Sequence, residues 1–102
     1  MNNITTGTIE HLIELGKARE VGKLNSEERI ELFDSIDSLD AIELAELYAL
    51  IEVGKTGDMA TFVYLVSKAK EIGFSLVEVI FEYNDLGSSL SKGYGVYCAK
   101  NI

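Results

Sequence analysis

The chain has 102 residues, a formal net charge of −8, no proline and one cysteine, which makes it long enough for one domain and too short for two ordinary ones. Its 47% apolar content supplies a packed core and argues against intrinsic disorder. The single cysteine excludes an internal disulfide and a thiolate metal cage, and the acidic excess disfavours direct nucleic-acid binding, which needs clustered Lys and Arg.

Met1-Asn2-Asn3-Ile4-Thr5-Thr6 contains no basic stretch leading into an apolar run, so no secretory signal is expected there. No apolar stretch approaches membrane-spanning length, and the expected setting is reducing and cytoplasmic.

The first helix is expected from about Thr8 to Val21. Ile9, Leu12, Ile13 and Gly16 share one face, Glu10, Glu14 and Lys17 another, and Gly22 ends the run. A second helix starts at Asn25, with Glu28 three positions on in capping-box spacing. Ile30, Phe33 and Ile36 recur at three-residue steps as its apolar series, closed by Leu39. Asp40 and Glu43 repeat the capping relation for a third helix, whose core stripe is Leu44, Leu47, Tyr48 and Ile51; Gly54 is expected to cap its C-terminus.

Asp58 caps a fourth helix in which Phe62, Leu65, Val66 and Ala69 lie together, with Tyr64 on the opposite, exposed side as an interface candidate. Gly73 stops it. Ser75 and Glu78 then form a further capping pair ahead of Leu76, Val77, Val79, Ile80, Phe81 and Tyr83, which predicts a fifth and most buried helix. A strand competes over residues 75–84 because Val, Ile, Phe and Tyr favour sheets; the start signal and the lack of a partner strand favour helix. From about residue 87 the chain reads as a turn-rich Gly/Ser tail, with Tyr94, Val96 and Tyr97 folding back on the body. The expected fold is all-α, one compact domain over residues 1–102 of about five short helices, orthogonal or bundle-like.

The charge is concentrated. Residues 25–54 hold nine acidic side chains, Glu27, Glu28, Glu31, Asp34, Asp37, Asp40, Glu43, Glu46 and Glu52, against Arg29 alone, while acids and bases balance on either side. Glu27, Glu31 and Asp34 follow an i, i+4, i+7 spacing and form an acidic stripe. Like charges so placed cost a helix about 0.2–0.5 kcal/mol per pair, yet a stripe of one sign steers a partner of the other. A solvated face that keeps the protein soluble is the alternative.

Motifs that would carry chemistry are incomplete. Gly54-Lys55-Thr56 resembles the end of a phosphate-binding loop, but Ala49 stands where the first glycine belongs and a helix precedes it. Asp34, Asp37 and Asp40 are spaced by three, unlike the alternating ligands of a calcium loop, and no glycine lies among them. His11, the only histidine, lacks a second metal-binding histidine or an evident nucleophile and reads as a surface residue. Leu44-Ala45-Glu46-Leu47 before a glycine turn hints at helix-turn-helix, but the following helix carries its lysines, Lys68 and Lys70, at its far end. Cys98 reads as a partly buried thiol. No cofactor or metal is expected.

The run from Leu44-Ala45-Glu46-Leu47 through Gly54-Lys55-Thr56-Gly57-Asp58 resembles a small bacterial family of domains of unknown function with a Leu-x-Ala-Leu helix running into a Gly-Arg-Gly-Asp turn; here the turn is one residue longer and has lysine for arginine. Ala18-Arg19-Glu20, Leu86, Leu90 and Gly93 fall in compatible order. The resemblance implies a compact helical fold and no activity.

The expected function is that of a protein-binding module of the inhibitor or immunity type, with Glu27, Glu31, Asp34, Asp37, Glu43 and Glu46 facing a basic protein surface. The alternative is a self-associating protein that buries a leftover apolar face, such as one on the fifth helix, in a homodimer. An enzyme using Glu43 or Glu46 as acid or base ranks last, since it needs a pocket and a shifted carboxylate.

Overall fold

The computed structural model describes residues 3–100; the two residues at each end of the expected 1–102 domain lie outside the described residues. Among these described residues six helices follow one another: α1 Thr6–Glu20, α2 Ser26–Asp37, α3 Ala41–Thr56, α4 Phe62–Ile72, α5 Leu76–Phe81 and α6 Leu86–Lys100. Short 3-10 turns, Met59–Thr61 and Gly73–Ser75, lead into α4 and α5. No strand occurs among the described residues: within 75–84 the chain is helical through Phe81 and then turns toward α6.

The first three starts follow from their caps. Thr5 accepts from the Thr8 N–H at 3.2 Å, satisfying one of the donors that a helix start leaves unpaired. Asn25 and Glu28 close a complete capping box on α2, and Asp40 and Glu43 close another on α3. Asp58 caps the 3-10 turn before α4 by accepting from the Ala60 N–H at 2.9 Å. Ser75, by contrast, makes no cap hydrogen bond, and α5 is entered through the preceding 3-10 turn instead. Gly73, at φ 69°, separates α4 from α5.

The centre of the molecule is α3, not α5. Every residue from Leu44 to Ile51, and Val53 as well, is buried, as expected for a helix apolar on nearly all sides. It packs most extensively on α6 and then on α4, while α1 packs on α6 and α2 lies against α1 and α5. The radius of gyration, 12.6 Å, is that of a well-packed domain of this length.

Gly54 does not cap α3. The helix runs past it to Thr56, and Gly57 takes the left-handed conformation at φ 74°. Gly54 is instead a point of close approach: a Cβ there would run into the Ser89 carbonyl of α6, and one on Gly93 would run into the Leu50 carbonyl of α3. Gly16 and Gly87 meet in the same way, a Cβ on Gly16 lying 2.6 Å from the Gly87 nitrogen. Facing glycines let α6 lie almost backbone to backbone on α3 and α1, so the expected C-terminal tail is a helix with Leu86 and Leu90 fully buried.

Polar bonds lock the ends of this arrangement. Glu20 accepts from the Ser88 N–H at 2.9 Å and from its hydroxyl at 2.5 Å, placing a carboxylate at the start of α6, where the helix dipole favours it. Arg19 donates to the carbonyls of Phe81 at 2.7 Å and Tyr83 at 2.6 Å, and its guanidinium lies 5.0 Å from the Phe81 ring centre. One side chain thus satisfies carbonyls freed at the end of α5 and stacks on it.

Candidate partner-binding surface

The six acidic residues of interest divide into two groups. Glu27, Glu31, Asp34 and Asp37 are all exposed along α2. Glu31 is partly engaged, its Oε2 lying 3.0 Å from Nε2 of His11, itself exposed. The two from α3 do not join them. Glu43 spends Oε1 on the Asp40 N–H at 3.0 Å. Glu46 is 5% exposed, and its Oε1 accepts from the Ile4 N–H at 2.9 Å, fastening the N-terminal segment to the core. Glu46 is therefore withdrawn from any partner surface, contrary to expectation; it lies on the face of α3 that packs inward.

Ile30 is the residue the apolar series misplaced. It is 62% exposed, whereas Phe33 is half-buried and Ile36 fully buried. A three-residue step falls about 60° short of a full helical turn, so the series Ile36, Phe33, Ile30 spirals from core to solvent. The buried line of α2 is Leu32 and Ile36, at the i, i+4 spacing that keeps one face. Ile30 emerges between the acidic positions three residues back, at Glu27, and four residues on, at Asp34. Phe33 anchors α2 by meeting Phe81 edge-on at 5.2 Å.

Three clefts adjoin these elements. A cleft of about 410 Å3 opens where α2 gives way to α3, walled by Leu44, Ala69, Leu76 and Val77, with Ala41, Asp37 and Lys70 around it. A polar one of about 460 Å3 lies beside Arg19, Arg29, Phe81, Glu82 and Asn84; the Arg19 guanidinium there is already committed to carbonyls. The third, about 310 Å3, lies between the start of α1 and the end of α2 near His11 and Ser38. Neither Glu43 nor Glu46 lines any of these three.

A polar cluster joins α3 to the start of α6. Lys55 Nζ sits 4.0 Å from the Tyr83 ring centre and 3.9 Å from Asp85 Oδ1, and Asp85 Oδ2 accepts from the Ser89 hydroxyl at 2.8 Å. Burial, with Glu52 and Tyr48 nearby, pushes the Tyr83 hydroxyl well above its ordinary ionisation range; Tyr48 moves the same way, by burial first and then by Glu52. The Lys55, Tyr83, Asp85 and Ser89 contacts make this group an inter-helix tie.

Among the described residues no cluster of three or more His, Cys, Asp or Glu side chains is placed to hold a metal ion, and no helix is long and apolar enough to cross a membrane. Cys98 is half-buried. No family model, curated protein or solved structure matches the chain.

Proposed function

We propose that this is a protein-binding module whose α2 face engages a basic partner surface, in the manner of an inhibitor or immunity-type protein that covers a cationic site. The observation that carries the reading is Ile30, 62% exposed among Glu27, Glu31 and Asp34. An acidic face kept only for solubility needs no large aliphatic side chain in its midst, whereas an interface pairs an apolar contact with a charged surround that steers and orients. Such a protein would work from the cytoplasm by occupying its target. The test is capture from host lysate with the native protein and with a Glu27→Gln, Glu31→Gln, Asp34→Asn variant, at low and moderate salt. The reading requires a basic protein held by the native form, lost as salt rises and lost with the variant. Equal recovery by both forms reduces the face to a solubility device.

A second reading, self-association, draws on α4. Val63 and Tyr64 are 76% and 64% exposed, side by side on its outer surface. On α5, Leu76 and Ile80 are buried and Val77, Val79 and Phe81 pack against the core, so α4 offers the more exposed apolar pair. Sedimentation equilibrium separates the readings. A dimer abolished by Val63→Ser and Tyr64→Ser supports self-association, and a monomer at all concentrations ends it.

A further inference from the structure

The apolar cleft and the acidic face meet at Asp37, and together they suit one kind of occupant. Asp37 is both the last acidic residue of α2 and part of the cleft. Ile30 precedes it by seven residues, two helical turns, so both lie on one side of α2, about 10 Å apart along the axis. Glu27, Glu31 and Asp34 border that line. At about 410 Å3 the cleft lies within the ordinary ligand-pocket range of about 300–1,000 Å3, and its walls, Leu44, Ala69, Leu76 and Val77, offer no charge.

Resting on the acidic-face reading, we propose that α2 and the adjoining cleft receive a basic amphipathic helix of a partner protein. One bulky apolar side chain of that helix enters the cleft between Leu44 and Val77. A second, seven residues away on the same partner helix, rests on Ile30, and flanking Lys or Arg face Asp34 and Asp37. The match is one of period as well as charge: apolar anchors at i and i+7 are the contacts a helix makes when it lies along a groove, and two turns of the partner span the same length as two turns of α2. Lys70, which comes to the cleft from α4, disfavours cations on that side and confines the partner's basic residues to the side of α2. A uniformly cationic strand without apolar anchors is a poorer fit, because it leaves both the cleft and Ile30 uncovered.

The test selects a displayed library of random helical peptides on the native protein and measures the enriched peptides in solution by fluorescence anisotropy. Binding is compared with Ala41→Trp, which fills the mouth of the cleft, with Ala41→Lys, which charges it, and with the Glu27→Gln, Glu31→Gln, Asp34→Asn variant. Ala41 is exposed, so circular dichroism is expected to show all three folded; Ala41→Lys carries the test where the larger side chain disturbs the fold. Enriched peptides should have bulky apolar residues seven apart with Lys or Arg beside them. Both Ala41 variants should weaken them by about tenfold or more, the effect of losing a buried anchor, and the charge variant should weaken them with a shallower salt dependence.

Full affinity for both Ala41 variants, with loss only in the charge variant, overturns the cleft assignment and leaves the acidic-face reading standing. Full affinity for the charge variant overturns that reading. Failure to enrich any basic amphipathic peptide removes both. Concentration-dependent shifts of the Leu44 and Val77 resonances without peptide would place a second copy of the chain in the cleft and overturn the proposal in that direction.

Discussion

Gly93 and Gly95 stand two residues apart on α6 in opposite circumstances. A methyl group on Gly93 would run into the Leu50 carbonyl and crowd the Gly54 nitrogen, while nothing lies within 4 Å of one on Gly95. Gly93→Ala forces α6 away from α3 and should destabilise by about 2 kcal/mol or more, as overpacking of backbone contacts does. Gly95→Ala should stabilise by about 0.5–1 kcal/mol, the helix-propensity gain. Urea denaturation of the two variants checks both signs; equal effects would contradict the close packing of α3 on α6.

Tyr83 carries a prediction about pH. Its hydroxyl ionises near its ordinary value of 10.0 in the unfolded chain and higher in the fold, where burial and Glu52 oppose the phenolate. Above pH 10 the unfolded chain therefore binds fewer protons than the native one, and stability falls with rising pH. The stabilisation is fully present below the unfolded value and is lost as pH climbs through the raised folded value. Tyr83→Phe removes the titrating hydroxyl. It should flatten the decline in stability that sets in as pH rises past about 10. An unchanged alkaline slope would show that Tyr83 is not held against ionisation.

At the scale of elements, what the sequence made legible was local hydrogen-bond chemistry. Asn25 with Glu28 and Asp40 with Glu43 form the boxes their spacing implies, and Asn25→Ala or Asp40→Ala should each cost about 1 kcal/mol, read as a drop in urea midpoint with unchanged slope. The Leu44, Leu47, Tyr48 and Ile51 stripe is buried as its period requires. The rest depended on partners distant in sequence. Leu-Gly-Ser-Ser-Leu-Ser-Lys-Gly-Tyr-Gly is a poor helix by intrinsic preference, and only the small residues facing it on α1 and α3, Gly16 and Gly54, turn that composition into a packing surface. The same limit applied to the surface: Glu27, Glu31, Asp34 and Asp37 of α2 were legible from spacing, but the burial of Glu46 depends on Ile4, 42 residues away. The exposure of Ile30 was in principle readable, since Leu32 and Ile36 set the buried line and a position two residues from Leu32 points elsewhere.

For the molecule as a whole, the charge distribution and the packing separate two tasks. The contacts among α1, α3 and α6 are mainly apolar or glycine-mediated, with carboxylates such as Glu20 and Glu46 making specific bonds, whereas Glu27, Glu31, Asp34 and Asp37 are exposed on α2 and three of them are i, i+4, i+7 neighbours that repel. Neutralising Glu27, Glu31 and Asp34 together should leave stability unchanged or raise it by about 0.5 kcal/mol, measurable as an equal or higher thermal midpoint. A large loss of stability would show that these carboxylates hold structure and are not spare for a partner.

The most direct measurement is capture of a basic partner by the Ile30→Ser protein alongside the native one at moderate salt. Ile30 is 62% exposed, so the substitution should leave the thermal midpoint within the small range usual for surface changes. Recovery should fall by about fivefold or more, the mark of an apolar contact made in the complex. Undiminished recovery by a fully folded Ile30→Ser protein would contradict it.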